Sequence, residues 1–148
     1  MYKTILIATD GSDLAQVAVE HGIHLAKSVG ATAIFVSVTE PWSALDMASA
    51  AEHGDLDAIK GYEDAAARSA EAILKKAAAF AEAAGVAAET RHVSDRVAAE
   101  GILETAEQEN CDLIVMASHG RRGLGRMFLG SQTAEVLAHS KRPVLVLR

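Results

Sequence analysis

Short apolar runs alternate along this chain with longer segments in which apolar residues recur every three or four positions. Consecutive apolar residues are typical of buried strands, and the longer spacing is typical of amphipathic helices. Parallel strands need a crossover of a dozen or more residues, and a helix of that length supplies it. The alternation therefore predicts a single α/β domain over residues 1–148, with one doubly wound, five-stranded parallel sheet and helices on both faces.

The sequence also predicts where the elements begin and end. The predicted strands are Lys3–Thr9, Thr32–Val38, Val86–Val93, Asp112–Ala117 and Val144–Leu147. Four helices are predicted: from Ser12 or Asp13 to Gly30, from about Asp55 to Gly85, from Ser94 or Asp95 to about Gln108, and Ser131–His139. Ser and Asp favour helix starts, and Gly favours helix ends. The segment from Thr39 to about Gly54 contains Pro41 and no stable periodicity, so we expect a long excursion that contains a helical turn.

The third predicted strand points to the position of a ligand site. Val86–Val93 alternates apolar with polar residues, the pattern of an edge strand with one face in water. In open parallel sheets, ligands bind at the carboxyl ends of the strands, where the strand order reverses. With the third strand at an edge, that point lies between strands one and four. We therefore expect the ligand-binding residues to lie in the loops that follow Thr9 and Ala117.

Charge and hydropathy exclude several classes of protein. The formal net charge is −6, which disfavours nucleic-acid binding because such binding depends on clustered Lys and Arg. No apolar run approaches the ~20 residues of a membrane span, and no signal-peptide core follows Met1. The lone cysteine, Cys111, has no partner for a disulfide or a zinc site and is expected to be a buried thiol. These features predict a cytoplasmic protein that binds neither nucleic acid nor membrane.

The charge is distributed unevenly. Residues 121–148 hold six basic residues, among them Arg121, Arg122 and Arg126, against Glu135 alone, whereas the first 120 residues hold 8 basic and 19 acidic ones. This asymmetry indicates an anion site near the C-terminal end.

The loop after the fourth predicted strand has the composition of such a site. Residues 118–131 contain four glycines and lead into a helix whose first N–H groups have no partner within the helix. Glycine permits positive φ and close approach of the backbone to a ligand, and free N–H groups at a helix N-terminus bind anions. The alternative is a merely mobile loop in which Ser131 is only an N-cap. Neither a Walker motif nor a dinucleotide-binding G-x-G-x-x-G is present to decide between them.

The order of several segments resembles the universal stress protein family. The resemblance covers the whole chain and is carried by Lys3–Asp10 (KTILIATD), Glu104–Met116 (ETAEQENCDLIVM), the glycine-rich loop, and Lys141–Val146 (KRPVLV). Nucleotide-binding members of that family carry Gly, two residues, Gly, nine residues, then Gly with Ser or Thr. The corresponding positions are Ala117, Gly120, Gly130 and Ser131, so alanine replaces the first glycine.

The resemblance implies a Rossmann-like fold with strand order 3-2-1-4-5 and an ATP site across strands one and four. It assigns the ribose to Asp10, beside Ala8 and Thr9, and adenine to the backbone near Val38. It assigns the phosphates to Gly120, Gly130 and Ser131, with Arg121 flanking them. Met116, Ala117 and Gln132 would line the site, and His119 would either donate to a phosphate or serve as a loop spacer.

The resemblance also implies partners. A homodimer would form through antiparallel contact of the edge strand Val144–Leu147, and adenine nucleotide, with or without Mg²⁺, would be the ligand. We expect no catalytic residues, because the sequence shows no triad, no HExxH and no paired carboxylates in the loops. His21 and His24, three residues apart, lack a third ligand, so no metal site is expected either. Two alternatives remain: a dimeric stress or interaction protein that binds no nucleotide, and a slow ATPase in which Asp10 recruits Mg²⁺ through water.

Overall fold

The computed structural model describes residues 1–120 and 129–148. Its single sheet contains five strands in the order β3-β2-β1-β4-β5, and every neighbouring pair is parallel. The strands are β1 Thr4–Ala8, β2 Thr32–Thr39, β3 Ala88–Ser94, β4 Leu113–Ala117 and β5 Val144–Leu147. The predicted fold class and strand order are confirmed, and β3 lies at one edge as expected.

Five helices connect or follow these strands in the described part of the chain. They are α1 Asp13–Val29, α2 Ala44–Glu52, α3 Leu56–Ala84, α4 Ala98–Gln108 and α5 Ser131–His139. Ser12 caps α1 by accepting a hydrogen bond from the Ala15 N–H at 3.2 Å. Gly30 and Gly85 end α1 and α3 in the left-handed conformation that glycine adopts without strain.

Residues of opposite parity on the central strands bury against the two helix layers. On β1, Ile5 and Ile7 face a core shared with α1 and α3, whereas Leu6 and Ala8 face a core shared with α4 and α5. Strand side chains point alternately to the two faces of a sheet, so a strand buried on both faces is apolar throughout. This arrangement accounts for the uninterrupted apolar runs in the sequence.

Two predictions about the helices are wrong. The excursion after β2 contains a full nine-residue helix, α2, so the helices number five and not four among the described residues. Its N-cap Ser43 accepts from the Asp46 N–H at 3.1 Å, but only Ala50 of the helix is buried, which explains its weak periodicity. Ser94 and Asp95 do not cap α4, because Ser94 ends β3 and Asp95 has a φ of 59°. The N-cap of α4 is Val97, which has no capping side chain of its own.

The topology places two loops beside each other at the carboxyl edge of the sheet. β1 and β4 are neighbours, with Ile5 opposite Leu113 and Ile7 opposite Val115. The chain leaves β1 toward β2 on one side and leaves β4 toward β5 on the other, which creates a crevice between the two loops. None of the helices in the described residues is long and apolar enough to cross a membrane.

Candidate functional site

A cavity of about 520 Å³ opens at the carboxyl ends of β1, β2 and β4. It falls in the size range of small-molecule sites. Eleven of the predicted site residues line it: Ala8, Thr9, Asp10, Val38, Met116, Ala117, His119, Gly120, Gly130, Ser131 and Gln132. The twelfth, Arg121, lies outside the described residues, as do Arg122 and Arg126. The structure thus brings together every predicted site residue that it describes.

The turn after β1 holds the Asp10 carboxyl group in place. Asp10 Oδ1 accepts a hydrogen bond from the Ser12 N–H at 3.0 Å, and the Thr9 N–H extends the sheet by donating to the Val36 carbonyl at 2.9 Å. Gly11, which lies between Asp10 and Ser12, has a φ of 77°, a value that glycine adopts at no steric cost. The carboxyl group is therefore fixed at the cavity wall by the turn that starts α1.

The loop after β4 closes on itself at the same edge. The Gly130 N–H donates to the Ser118 carbonyl at 2.8 Å, so the two ends of the loop meet. Thr133 Oγ1 donates to the carbonyls of Ala117 at 3.1 Å and Ser118 at 3.0 Å. These bonds anchor the first turn of α5 against the end of β4, and the residues of that turn line the cavity.

The N-terminus of α5 begins with backbone donors. Its N-cap is Gly130, which has no side chain to accept hydrogen bonds, and the first bond within the helix runs from the Ala134 N–H to the Gly130 carbonyl at 2.9 Å. The alternative in which Ser131 is the N-cap is therefore wrong, because Ser131 is the first helical residue and is exposed. Such an N-terminus attracts anions through its N–H groups and its dipole.

Two glycines of the loop lie where a side chain would collide with neighbouring residues, and neither has a positive φ. Gly130 has a φ of −60°, and Gly120 is not among the glycines with positive φ. A Cβ added to Gly130 would lie 3.0 Å from the Ser118 carbonyl oxygen and 3.2 Å from the Cα of His119. A Cβ added to Gly120 would lie 2.5 Å from Asp10 Oδ2. Neither glycine is therefore required for a positive φ, and at both positions a side chain would meet this chain's own atoms.

Ala117, in place of the first motif glycine, ends β4 and pairs with Leu147 of β5. It is 8% exposed and belongs to the core cluster on the α1 and α3 face of the sheet. The methyl group is therefore packed against that core, although the residue also lines the cavity.

One wall of the cavity was not anticipated from the sequence. Side chains from one face of α3 line it, namely Tyr62, Ala66, Ser69, Ala70 and Ile73. At 1.5 Å per residue the 29 residues of α3 span roughly 43 Å, whereas five-residue strands such as β1 span roughly 17 Å. A helix this long must project past the sheet, and that mismatch in length is the signal that would have placed α3 at the site.

Aromatic packing continues this wall outward. The Trp42 and Tyr62 rings stack with centroids 5.4 Å apart and planes 9° from parallel. Tyr62 lines the cavity, but Trp42 does not, and Met47 is 45% exposed on α2. The Trp42 ring therefore packs on Tyr62 and does not itself line the cavity.

The remaining polar candidates are placed as follows. The Nδ1 atom of His119 lies 3.1 Å from Ser118 Oγ, at the cavity. His21 and His24 are exposed on α1, and the described residues contain no group of three or more His, Cys, Asp or Glu side chains arranged to hold a metal ion. Cys111 is fully buried, as expected, and burial raises the pKa of its thiol to about 11.

Comparisons with known proteins extend over the whole chain. The model of the universal stress protein family matches residues 1–148. A universal stress protein of Methanocaldococcus jannaschii is 36% identical over 151 aligned residues, covering all of this chain and 83% of that protein. The solved structure of universal stress protein UspA from Lactobacillus plantarum has a TM-score of 0.83 at 25% identity, covering 99% of this chain and 98% of that one. A universal stress protein solved in complex with cAMP has a TM-score of 0.69 at 27% identity, covering 99% of this chain and 97% of that one.

Proposed function

Because the chain belongs to the universal stress protein family, we propose that it is a stress-response or signalling module whose ligand is an adenine nucleotide, ATP in the first instance. The observation that carries the proposal is the arrangement at the carboxyl edge of the sheet. There the N-terminus of α5, two glycines without room for a side chain and the Asp10 carboxyl group all border one cavity.

The phosphates would occupy the glycine side of this cavity. Gly120 and Gly130 have no side chains to cover the backbone, and the backbone N–H groups that begin at Ser131 would donate to the phosphate oxygens. Anions bind at such helix termini because several N–H groups and the helix dipole point at one place. Arg121, which follows Gly120 directly in the sequence, would add positive charge.

The nucleoside would occupy the remaining part of the cavity. Asp10 would accept hydrogen bonds from the ribose hydroxyls, beside Ala8 and Thr9, and the backbone near Val38 would meet the base. Met116, Ala117 and the wall formed by α3 are apolar or small, which suits a flat heterocycle. The relative solved with cAMP supports this choice of ligand class, since it shares 27% identity over nearly the whole chain.

Calorimetric titration of ATP, AMP, cyclic AMP and adenosine, with and without Mg²⁺, tests the proposal. Ser131→Asp is the matched probe because a carboxylate in the first turn stabilises a helix but repels phosphate. Ser131→Asn has nearly the same shape without the charge. We expect Ser131→Asp to weaken ATP binding at least tenfold, to leave adenosine binding unchanged, and to retain the thermal stability of the native protein.

Two results would contradict the proposal. The first is the absence of any heat of binding with millimolar ATP, together with no adenine nucleotide in extracts of the purified protein. That result favours the alternative of a family member that binds no nucleotide. The second is equal ATP affinity in Ser131→Asp and Ser131→Asn. Inorganic phosphate released in the same samples measures whether the ATPase alternative applies.

We also propose that the protein forms a homodimer through β5. Val144–Leu147 lies at the edge of the sheet opposite β3 and pairs with β4 on one side. Leu145 on β5 and Leu137 on α5 are 38% and 44% exposed, and an apolar edge strand favours pairing with a second chain. Sedimentation at micromolar concentration should give a dimer for the native chain and a 15.5 kDa monomer for Leu145→Lys. A native monomer would contradict the proposal.

A further inference from the structure

Helix α4 receives its N-terminal cap from another helix. Val97, the N-cap residue, makes no side-chain capping bond. Instead, the side chain of Gln132 on α5 reaches across, and its Oε1 accepts a hydrogen bond from the Ala99 N–H at 2.9 Å. Ala99 is only 4% exposed, so without Gln132 this N–H would be a buried donor with no acceptor. Gln132 therefore ties the N-terminus of α4 to that of α5.

This bond also fixes the orientation of the Gln132 amide. A backbone N–H can only donate, so the atom that faces Ala99 must be the carbonyl oxygen. The amide nitrogen Nε2 is then the group left for other partners, and it makes no hydrogen bond within residues 1–120 and 129–148. Gln132 lines the cavity together with Ala98 and Ser131. The side chain thus offers the ligand the Nε2 donor, while Oε1 is engaged with Ala99.

A hydrogen-bond donor at the position of Gln132 Nε2 suits the phosphate group of a nucleotide. Gln132 is the second residue of α5, next to Ser131, on the side of the cavity where the helix N-terminus would bind anionic oxygens. Phosphate oxygens are acceptors with a strong preference for N–H donors, whereas the ribose and adenine also carry donors of their own.

We propose that Gln132 is a positioning and specificity residue with two roles: its Oε1 caps α4 through Ala99, and its Nε2 donates to a phosphate oxygen of the bound nucleotide. The second role rests on the proposed function, whereas the first does not. One rotamer satisfies both partners, so the cap on α4 holds the amide in the position from which it binds phosphate.

Two substitutions separate the roles. Gln132→Glu retains an acceptor for the Ala99 N–H but removes the donor and adds negative charge. Gln132→Met has a similar length and removes both functions. Gln16→Met is the control for a glutamine lost from a helix surface, because Gln16 lies on α1 and does not line the cavity. The readouts are hydrogen exchange at the Ala99 amide and the calorimetric Kd values of ATP and of adenosine, which lacks phosphate.

The two readouts give distinct expectations. Exchange at Ala99 should accelerate at least tenfold in Gln132→Met and remain native-like in Gln132→Glu and Gln16→Met. The Kd of ATP should rise about tenfold or more in both Gln132 variants, as for loss of a hydrogen bond to a charged group, while the Kd of adenosine stays within twofold.

Each role has its own contradicting result. Unchanged exchange at Ala99 in Gln132→Met overturns the cap. The donor role is overturned if Gln132→Glu binds ATP with native affinity. It is also overturned if Gln132→Met loses the same factor of affinity for ATP and for adenosine. If the native protein binds no adenine nucleotide, the proposed function and the donor role both fail, but exchange at Ala99 still decides the cap.

Discussion

Gly120 and Asp10 lie on different loops, yet they approach so closely that a methyl group on Gly120 would come within 2.5 Å of Asp10 Oδ2. Because Asp10 Oδ1 also accepts from the Ser12 N–H, the carboxyl group has little freedom to move away. The glycine after β4 therefore sets the position of the carboxyl group after β1, and the two loops act as one site.

The Gly120→Ala substitution tests this contact. We expect the carboxyl group to rotate and lose the Ser12 bond, which lowers the free energy of unfolding by about 1 kcal/mol. The Kd of ATP should rise about tenfold, because Asp10 would leave the position that we assign to ribose binding. Denaturant unfolding and calorimetry measure the two effects.

Gly61→Ala is the matched control for this prediction. Gly61 lies within α3, and a Cβ there would meet nothing within 4 Å. The same substitution should therefore stabilise the protein by about 1 kcal/mol, the difference in helix propensity between the two residues, without changing ATP affinity. Equal ATP affinities of Gly120→Ala and Gly61→Ala would show that the Gly120 contact does not matter for binding.

Ala117→Gly tests whether the methyl group at the first motif position hinders the ligand. Ala117 is packed in the α1 and α3 core, so we expect the ATP affinity to change less than threefold. The free energy of unfolding should fall by about 1–2 kcal/mol, because glycine weakens a strand and a buried methyl is lost. A tenfold gain in ATP affinity would instead show that the methyl group intrudes into the site.

The sheet could be predicted from the sequence because the patterns that mark its strands and the connecting helices are local. Each central strand contains an apolar run of four or five residues (Ile5–Ala8, Ala33–Val36 and Leu113–Ala117), and glycines such as Gly30 and Gly85 mark the helix ends. The position of β3 at the edge follows from its polar residues, and the strand order then places the loops after β1 and β4 together. The residues of both loops were predictable for that reason.

What the sequence did not predict depends on contacts between distant residues. The cap on α4 comes from Gln132, 33 positions after Ala99, and no local pattern encodes such a bond. Tyr62 and its neighbours reach the cavity only because α3 projects beyond the sheet. Helix α2 was missed because it buries a single residue, so hydrophobic periodicity is nearly absent.

Asp112 should give the protein part of its resistance to acid. Its Oδ2 accepts from the N–H groups of Lys3 at 2.7 Å and Thr4 at 2.9 Å, which lowers the pKa of the carboxyl group below its ordinary value of 3.8. Since the folded state has the lower pKa, the stabilisation is fully present above the unfolded pKa. It is lost as the pH falls through the folded pKa.

Asp112→Asn checks this dependence. The variant should be less stable than the native protein at pH 6, and the difference should shrink as the pH is lowered below about 4. Urea unfolding across the pH range measures it, with Glu71→Gln on the exposed surface of α3 as the control. A stability difference that is constant with pH would show that ionisation of Asp112 does not contribute.

Trp42 should report ligand binding by fluorescence even though it does not line the cavity. It is the only tryptophan of the chain, and its ring stacks on Tyr62, which does line the cavity and whose Oη donates to the Glu40 carbonyl at 3.4 Å. A nucleotide that contacts Tyr62 would alter this stack. We therefore expect a saturable change in Trp42 emission during ATP titration, with the same midpoint as calorimetry.

Tyr62→Ala should abolish the change and weaken ATP binding about two- to tenfold, as expected for the loss of one aromatic contact. Tyr2→Phe, at the opposite end of β1, is the control and should leave both unchanged. Constant Trp42 emission under saturating ATP in the native protein would mean that the ligand does not reach the α3 wall. The base would then lie nearer to Val38 and Met116, and α3 would serve only to cover the cavity.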